Sequence, residues 1–357
     1  MSSLLSIRAW LRAGLALAGT ALLVTGCSGA ATPPTRPVAA VTTAIPAAPA
    51  APRSAALPPG DQVQLARRPS PRWSPGMTYD GARGDVLLFG GQTGSTFLGD
   101  TWSWDGHRWS LLHPLHAPSP RASAEMAYDP RHQQVVLFGG FAAGPDLADT
   151  WLWDGRDWTR TTPAFNPAPT HEQGITYFAG TGTVLLYDGQ FGAGSKHVYS
   201  WDGGNWTDLP FTGGPPTSAF QGGFSVDPVR QVVVLLADDV NQRTLQQWEF
   251  DGQAWTHRDV VTPPERGLVQ TATDEQTHTI VLFGGLERND TWTWDGTQWT
   301  QQHPVHAPSV RTSTGPMPGL TYDAATAQVV VFGGIDFLTN APLNDTWTWD
   351  GQDWTSS

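Results

Sequence analysis

Three polar residues in the middle of the chain, Asp188, Asp238 and His171, have the side chains that acid–base catalysis uses. Asp188 and Asp238 each end an apolar run, VLLYD and VVLLAD, and Asp239 follows the second run. Carboxylates brought close together could bind calcium or act as acid and base. No Ser-His-Asp spacing and no glycine-rich phosphate loop accompanies them in the sequence. They are the candidates for catalysis, and sequence drift in a tolerant loop explains the two aspartates equally well.

Four arginines, each placed shortly before a strand-like segment, could recognise an acidic ligand. They are Arg72, Arg121, Arg266 and Arg311. A guanidinium group binds a carboxylate through two parallel hydrogen bonds, so a ring of such groups would form a carboxylate site. The alternative is structural, with each arginine bonded to the aspartate that opens a nearby DTW motif. Both interpretations stay open at the level of the sequence.

Aromatic side chains mark the segments that connect the strands. Exposed rings there could stack on a sugar or grip a peptide, or they could fold back and cover the protein. Seven of the fourteen phenylalanines lie in or beside these connections: Phe97, Phe141, Phe165, Phe191, Phe211, Phe220 and Phe337. We predict ligand contacts for four of them, namely Phe97, Phe141, Phe191 and Phe337.

Two HPxH segments hold paired histidines, His113 with His116 and His303 with His306. The proline inside each segment prevents the helical spacing of a zinc pair, and the cysteine or acidic partners of a structural site are missing nearby. The sequence therefore predicts no metal site and no cofactor.

The first 27 residues have the pattern of a secretory signal. Arg8 and Arg12 precede an apolar run from Leu15 to Val24, which is too short to span a bilayer comfortably. The run ends in VTGC, which resembles the lipobox of bacterial lipoproteins, whose cysteine is acylated after cleavage. We expect Cys27, the only cysteine, to be the first mature residue and to anchor an extracytoplasmic protein to the cell membrane. A free thiol in an ordinary secretory peptide is the alternative.

Composition separates a tether from a domain. Residues 28–60 are dominated by Ala, Pro and Thr and have no aromatic residue, so they predict a disordered linker. The formal net charge of −12 disfavours nucleic acid as a partner. Contact with the membrane is expected through the lipid alone.

From residue 61 to residue 357, one unit recurs six times. Each copy ends in a motif such as DTWSWDGHRW, and the last tryptophans of the copies are 44 to 55 residues apart. They are Trp109, Trp158, Trp206, Trp255, Trp299 and Trp354. An apolar run, in most copies closed by Gly-Gly as in VLLFGG, lies ahead of each motif, and a further strand-like segment such as GMTYD lies ahead of that. Each copy therefore predicts four short strands, which we name A to D from the axis outward.

This order of an apolar strand, Gly-Gly, an aromatic strand and a further tryptophan resembles the kelch repeat. The resemblance implies an all-β, six-bladed propeller with four-stranded antiparallel blades, similar to the central domain of galactose oxidase-like proteins. The tryptophans are then core residues that fill the wedge between blades. The Asp-Gly pairs would close the C–D hairpins. Val63 to Leu65 would either pair with the last blade to close the ring or play no part in closure.

The two faces of such a propeller have unequal connections. The A–B and C–D turns are short, whereas the D–A and B–C connections are long and variable, and we name the side that carries them the loop face. Binding on rigid scaffolds usually uses such loops. We therefore predict a membrane-tethered binding module that recognises a protein or a glycan there.

Two other functions stay open. Kelch-like propellers include a copper radical sugar oxidase, whose tyrosine–cysteine cross-link needs a cysteine that this domain lacks, and sialic-acid epimerases. A carbohydrate-active enzyme of the epimerase or hydrolase type, with its site at the channel mouth, is therefore one alternative. A structural scaffold of the cell envelope is the other.

Overall fold

The structure, a computed structural model, describes residues 68–171, 173–189, 196–216, 219–239, 244–267, 269–311 and 317–357, without the side chains of residues 219–221 and 239. Cys27, the predicted signal peptide and linker, Val63 to Leu65 and Phe191 lie outside the described residues. In the part of the chain that is described, no helix is long and apolar enough to cross a membrane.

Six four-stranded antiparallel sheets make up the described chain. The strands of blade 1 are β1 (Gly76–Asp80), β2 (Asp85–Phe89), β5 (Thr101–Trp104) and β6 (Trp109–Leu112), with the small hairpin β3 (Gln92–Thr93) and β4 (Thr96–Phe97) inserted between β2 and β5. Blade 2 contains β7 (Glu125–Asp129), β8 (Gln134–Phe138), β9 (Thr150–Trp153) and β10 (Trp158–Arg160). Blade 3 contains β11 (Gln173–Phe178), β12 (Thr183–Asp188), β13 (His197–Trp201) and β14 (Trp206–Leu209).

The second half of the ring repeats this order. Blade 4 has the longest strands: β15 (Ala219–Asp227), β16 (Val232–Asp239), β17 (Thr244–Phe250) and β18 (Trp255–Arg258). Blade 5 contains β19 (Gln270–Asp274), β20 (Thr279–Phe283), β21 (Thr291–Trp294) and β22 (Trp299–Gln302). Blade 6 contains β23 (Gly319–Asp323), β24 (Gln328–Phe332), β25 (Thr346–Trp349) and β26 (Trp354–Ser356).

The inner strands form a closed ring. Each contacts the inner strand of the next blade, and β23 of blade 6 contacts β1 of blade 1. The predicted six-bladed propeller is thus confirmed. All four strands of blade 6 come from residues 319–356. At this closure a Cβ on Gly319 would lie 2.2 Å from Met77 Sδ, so the glycine allows the first and last blades to pack directly together.

Tryptophan pairs form the core between blades. In five blades an indole at the end of the third strand is opposite the tryptophan that begins the fourth, for example Trp104 opposite Trp109 with ring centroids 5.4 Å apart. Blade 4 uses Phe250 and Trp255, 5.0 Å apart. All twelve of these rings are buried, so the expectation that the repeated tryptophans are core residues is confirmed.

A hydrogen bond between neighbouring blades explains the threonine of the DTW motif. The indole Nε1 of Trp158 in blade 2 donates to Thr101 Oγ1 in blade 1, at 3.0 Å. Trp206 bonds in the same way to Thr150 at 2.8 Å, and Trp109 to Thr346 at 2.8 Å across the ring closure. The motif therefore encodes a donor for one neighbouring blade and an acceptor for the other.

The glycines of the repeat have the turn conformations and close contacts that the sequence predicts. Gly106, in the Asp-Gly turn between β5 and β6, has φ of 91°. Gly90, the first glycine after β2, has φ of 66°, and a Cβ there would lie 2.6 Å from the carbonyl oxygen of Arg121. The Gly-Gly pairs thus allow the backbone that leads into the next blade to approach closely.

Candidate functional site

The four predicted arginines lie at blade boundaries on the loop face, and all are fully buried. Arg121 donates from Nη1 to Asp149 Oδ1 at 2.5 Å and from Nη2 to Asp149 Oδ2 at 2.9 Å. The aspartate opens a DTW motif, and the indole of Trp151 also donates to it, at 2.7 Å. The other arginine–aspartate pairs are Arg72 with Asp100, Arg266 with Asp290 and Arg311 with Asp345.

Each pair also joins two blades. The backbone of Arg121 bonds to blade 1, because its N–H donates to Leu98 O at 3.0 Å and its carbonyl accepts from Gly91 N at 2.8 Å. Its guanidinium meanwhile bonds to Asp149 in blade 2. We name this arrangement the arginine clamp. A ligand carboxylate would have to displace an aspartate from its clamp, so the geometry favours the structural interpretation, and ligand binding by these four arginines stays a prediction.

Electrostatics agree with a structural clamp. Burial by itself would raise the pKa of Asp149, but the hydrogen bonds from Arg121 and Trp151 outweigh it and hold the pKa below its usual value. The pKa values of Asp100 and Asp290 are lowered by the same combination. These carboxylates are therefore charged acceptors at neutral pH. Each already accepts hydrogen bonds from the arginine of its clamp and from the tryptophan of its DTW motif.

Blades 3 and 4 depart from this pattern. Thr170 stands where the arginine belongs, because its N–H donates to Leu147 O and its carbonyl accepts from Gly140 N, as the backbone of Arg121 does one blade earlier. Asp188 and Asp238 lie on the second strands of these two blades, at 7% and 6% exposure. They are buried beside the inner strands, and their catalytic role stays a prediction.

The structure brings together three of the predicted residues on the loop face. Phe97 lies on hairpin strand β4, and its ring meets that of Phe141 edge to face with centroids 5.4 Å apart. Phe141 in turn meets the imidazole of His171, at 5.2 Å. Asp146 Oδ2 lies 2.8 Å from His171 Nδ1. We name Phe97, Phe141 and His171 the aromatic row; all three are half-buried and they span blades 1, 2 and 3.

Other predicted aromatic residues lie apart from this row. Phe337 is 37% exposed on the B–C connection of blade 6. Phe165 is exposed and packs on Tyr199 of blade 3, with centroids 5.9 Å apart. Phe211 packs on Phe250.

The histidine segments have a structural use. The N–H of His116 donates to Asp157 Oδ1 of blade 2 at 2.8 Å, and the ring Nδ1 lies 2.8 Å from Asp157 Oδ2.

Two features at the starts of the inner strands were not found from the sequence. Ser74 and Ser123 have left-handed backbones, with φ of 46° and 51°. Ser123 N donates to Ser74 O at 2.9 Å, and Ser74 N donates to Met317 O at 2.6 Å, so a chain of hydrogen bonds links the entrances of blades 2, 1 and 6. Non-glycine residues in this conformation concentrate at functional sites. A serine two residues before the inner strand is the signal in the sequence.

Glu125 is the other unpredicted feature. It begins the inner strand β7 and pairs with Phe138. The equivalent position in blades 1, 3 and 6 is a glycine: Gly76, Gly174 and Gly319. Burial raises the pKa of Glu125 to about 8. A carboxylic acid that is mostly neutral at pH 7 can donate a hydrogen bond. The signal in the sequence was an acid at a position where the repeat prefers glycine.

Fold and site together define a six-bladed β-propeller with a row of three aromatic side chains on its loop face. No protein-family model matches the sequence, and a search of curated proteins gives no match either. Among solved structures, the chain is similar to one titled "Structure of YjhT", with a TM-score of 0.57 and 12% sequence identity. The similarity covers 82% of this chain and 99% of that one. At this identity it shows the propeller fold alone.

Proposed function

We propose that the protein is an extracytoplasmic binding module of the kelch type, tethered to a bacterial cell membrane through a lipid on Cys27, that recognises a protein or glycan ligand with its loop face. The observation that supports this proposal most directly is the aromatic row. Two phenylalanines and a histidine from three different blades meet there with half-exposed rings, and such rings present apolar faces to sugar C–H groups or peptide side chains. No nucleic acid is expected as a partner.

The framework beneath the row supports recognition. Arginine clamps fix the entrances to blades 1 and 2, and the Trp158–Thr101 and Trp206–Thr150 hydrogen bonds fix blade 2 to blade 1 and blade 3 to blade 2. Loops held by such a framework lose little conformational entropy when a ligand binds. The motif VTGC and the Ala/Pro/Thr-rich residues 28–60 support the tether.

The test is capture of a ligand by the non-lipidated mature chain, residues 28–357, on a glycan array and in pull-downs from bacterial envelope extract. We expect a ligand that the Phe97→Ala, Phe141→Ala double variant no longer retains. Phe165→Ala removes an exposed phenylalanine outside the row and is the matched control. Equal retention by the double variant and the wild type would refute the assignment of the site.

Catalysis on a carbohydrate is a second candidate, and the pairing of His171 with Asp146 favours it. A carboxylate at 2.8 Å from Nδ1 fixes the ring orientation, as the orienting acid of a catalytic histidine does. If the loop face is catalytic, His171→Gln abolishes turnover of a captured glycan and weakens its binding by much less. Unchanged epimerisation and hydrolysis rates in that variant would rule out this role.

A further inference from the structure

The cleft between blades 5 and 6 has two buried polar atoms that lack partners among the described residues. They are Nε of Arg311, a donor, and Oε1 of Gln270, an acceptor. Both residues line the cleft, together with Phe283, Arg288, Pro318 and Leu320. Arg311 is 1% exposed. An unpaired buried donor or acceptor is destabilising, so two in one cleft require a reason.

The repeat supplies internal controls for Arg311. At the other three clamps, Nε donates to the carbonyl oxygen two residues earlier, at 3.0 Å: Arg72 to Ser70, Arg121 to Ser119 and Arg266 to Pro264. Arg311 keeps both bonds to Asp345, at 2.9 and 2.5 Å, without this third one. The clamp between blades 5 and 6 is therefore intact, and the Nε–H of Arg311 can donate to an acceptor from outside the described chain.

Gln270 is an exception of the same kind. It begins its inner strand opposite Phe283, where blades 1 and 6 have Gly76 and Gly319. A Cβ on those glycines would collide with the next blade, at 2.7 Å from Ala124 O and 2.2 Å from Met77 Sδ respectively. The boundary between blades 5 and 6 instead has room for an amide side chain and an opening.

We propose that this cleft is a subsite for a hydroxyl group of a sugar, so that Arg311 Nε–H donates to the hydroxyl oxygen and the hydroxyl proton is donated to Gln270 Oε1. A hydroxyl is the small group that both accepts and donates. The free space holds about one water molecule, which is the size of a hydroxyl.

The two unpartnered atoms, one donor and one acceptor, fit a neutral group better than an anion, although Arg288 adds a positive charge to the lining of the cleft. Asp345 already neutralises Arg311, and a carboxylate oxygen would be repelled by Gln270 Oε1. Phe283, Leu320 and Pro318 provide apolar walls for the C–H groups beside the hydroxyl. This inference deepens the proposed recognition of glycans and rests on it, because it adds a polar contact on the loop face at blades 5 and 6.

The test observes the cleft directly. Arg Nε–H resonances of the ¹⁵N-labelled mature chain, residues 28–357, are followed during titration with D-glucose, D-galactose, N-acetyl-D-glucosamine and, as a carboxylate probe, sodium acetate. We expect at least one sugar to shift the Arg311 resonance while those of Arg72, Arg121 and Arg266 stay in place. No shift with any sugar, or a shift with acetate alone, would overturn the proposal.

Variants separate this subsite from the aromatic row. Gln270→Gly restores the residue of blades 1 and 6 and is expected to weaken sugar binding about tenfold, the effect of losing one hydrogen bond. Gln298→Ala, an exposed glutamine in the C–D turn of the same blade, is the matched control. If a captured glycan binds Gln270→Gly as well as wild type but not the Phe97→Ala, Phe141→Ala variant, the subsite fails and the proposed function stands. If the wild type captures no ligand and no sugar shifts Arg311, both fail.

Discussion

Replacing Thr150 by valine tests whether the hydrogen bond between tryptophan and threonine holds the blades together. Trp206 Nε1 donates to Thr150 Oγ1 at 2.8 Å, and both residues are 1% exposed. Valine keeps the shape of the side chain but leaves the buried indole N–H without a partner. We therefore expect a loss of about 1–3 kcal/mol in the free energy of unfolding.

The chain contains the reciprocal case. Trp255 occupies the position of Trp206 one blade later, but Val198 stands where Thr150 does, and the described structure has no partner for Trp255 Nε1. Val198 and Trp255 pack in one cluster. Val198→Thr should therefore stabilise the protein by about 1 kcal/mol, since it supplies the missing acceptor.

The assay is urea unfolding of both variants and the wild type, followed by tryptophan fluorescence and circular dichroism, with melting temperatures as a second readout. Opposite shifts of the two variants are the predicted result. If Thr150→Val costs less than about 0.3 kcal/mol, or if both variants shift in the same direction, the hydrogen bond does not stabilise the blade boundary.

Three further predictions concern two charged residues and the location of the protein in the cell. Arg121→Met should cost about 3–5 kcal/mol of stability, because Asp149 is left charged and partly buried, and a loss below about 1 kcal/mol in urea unfolding would contradict the clamp. Glu125→Gln should raise the melting temperature at pH 8.5 but leave it almost unchanged at pH 4.5: the folded-state pKa of about 8 lies above the ordinary value of 4.5, so the glutamate destabilises the fold as pH rises through that interval. A melting-temperature difference that is the same at both pH values would contradict this assignment. Cys27→Ser should move the protein from the membrane fraction to the soluble fraction or leave it as unprocessed precursor, and unchanged fractionation and mass would exclude a lipid on this residue.

The blade count could be predicted from the sequence because the repeated residues make the contacts between neighbouring blades. Each DTW motif contains an aspartate for the arginine clamp, a threonine for the next blade's indole and a tryptophan whose indole donates to that aspartate. These contacts recur at every boundary that keeps the residues, so spacing and residue type were sufficient. The pairing of Arg121 with Asp149 was among the alternatives for the same reason.

The aromatic row could not be predicted as a unit. Phe97, Phe141 and His171 come from three different connections, and their meeting depends on the path of each loop, including the hairpin β3–β4. Asp146 was not recognised because a polar residue in a variable loop has no periodic partner. Glu125 and Gln270 replace glycines of the repeat, but only the strand register places them at the boundaries between blades.

Footprinting of the propeller with and without its captured ligand tests the central claim most directly. Hydroxyl-radical labelling, read by mass spectrometry, reports the exposure of Phe97 and Phe141 on the loop face and of Tyr79 and Tyr128 near the A–B turns. The predicted result is protection of the two phenylalanines on binding, with the tyrosines unchanged. Protection of the tyrosines with unchanged labelling of the phenylalanines would contradict the choice of the loop face as the binding surface.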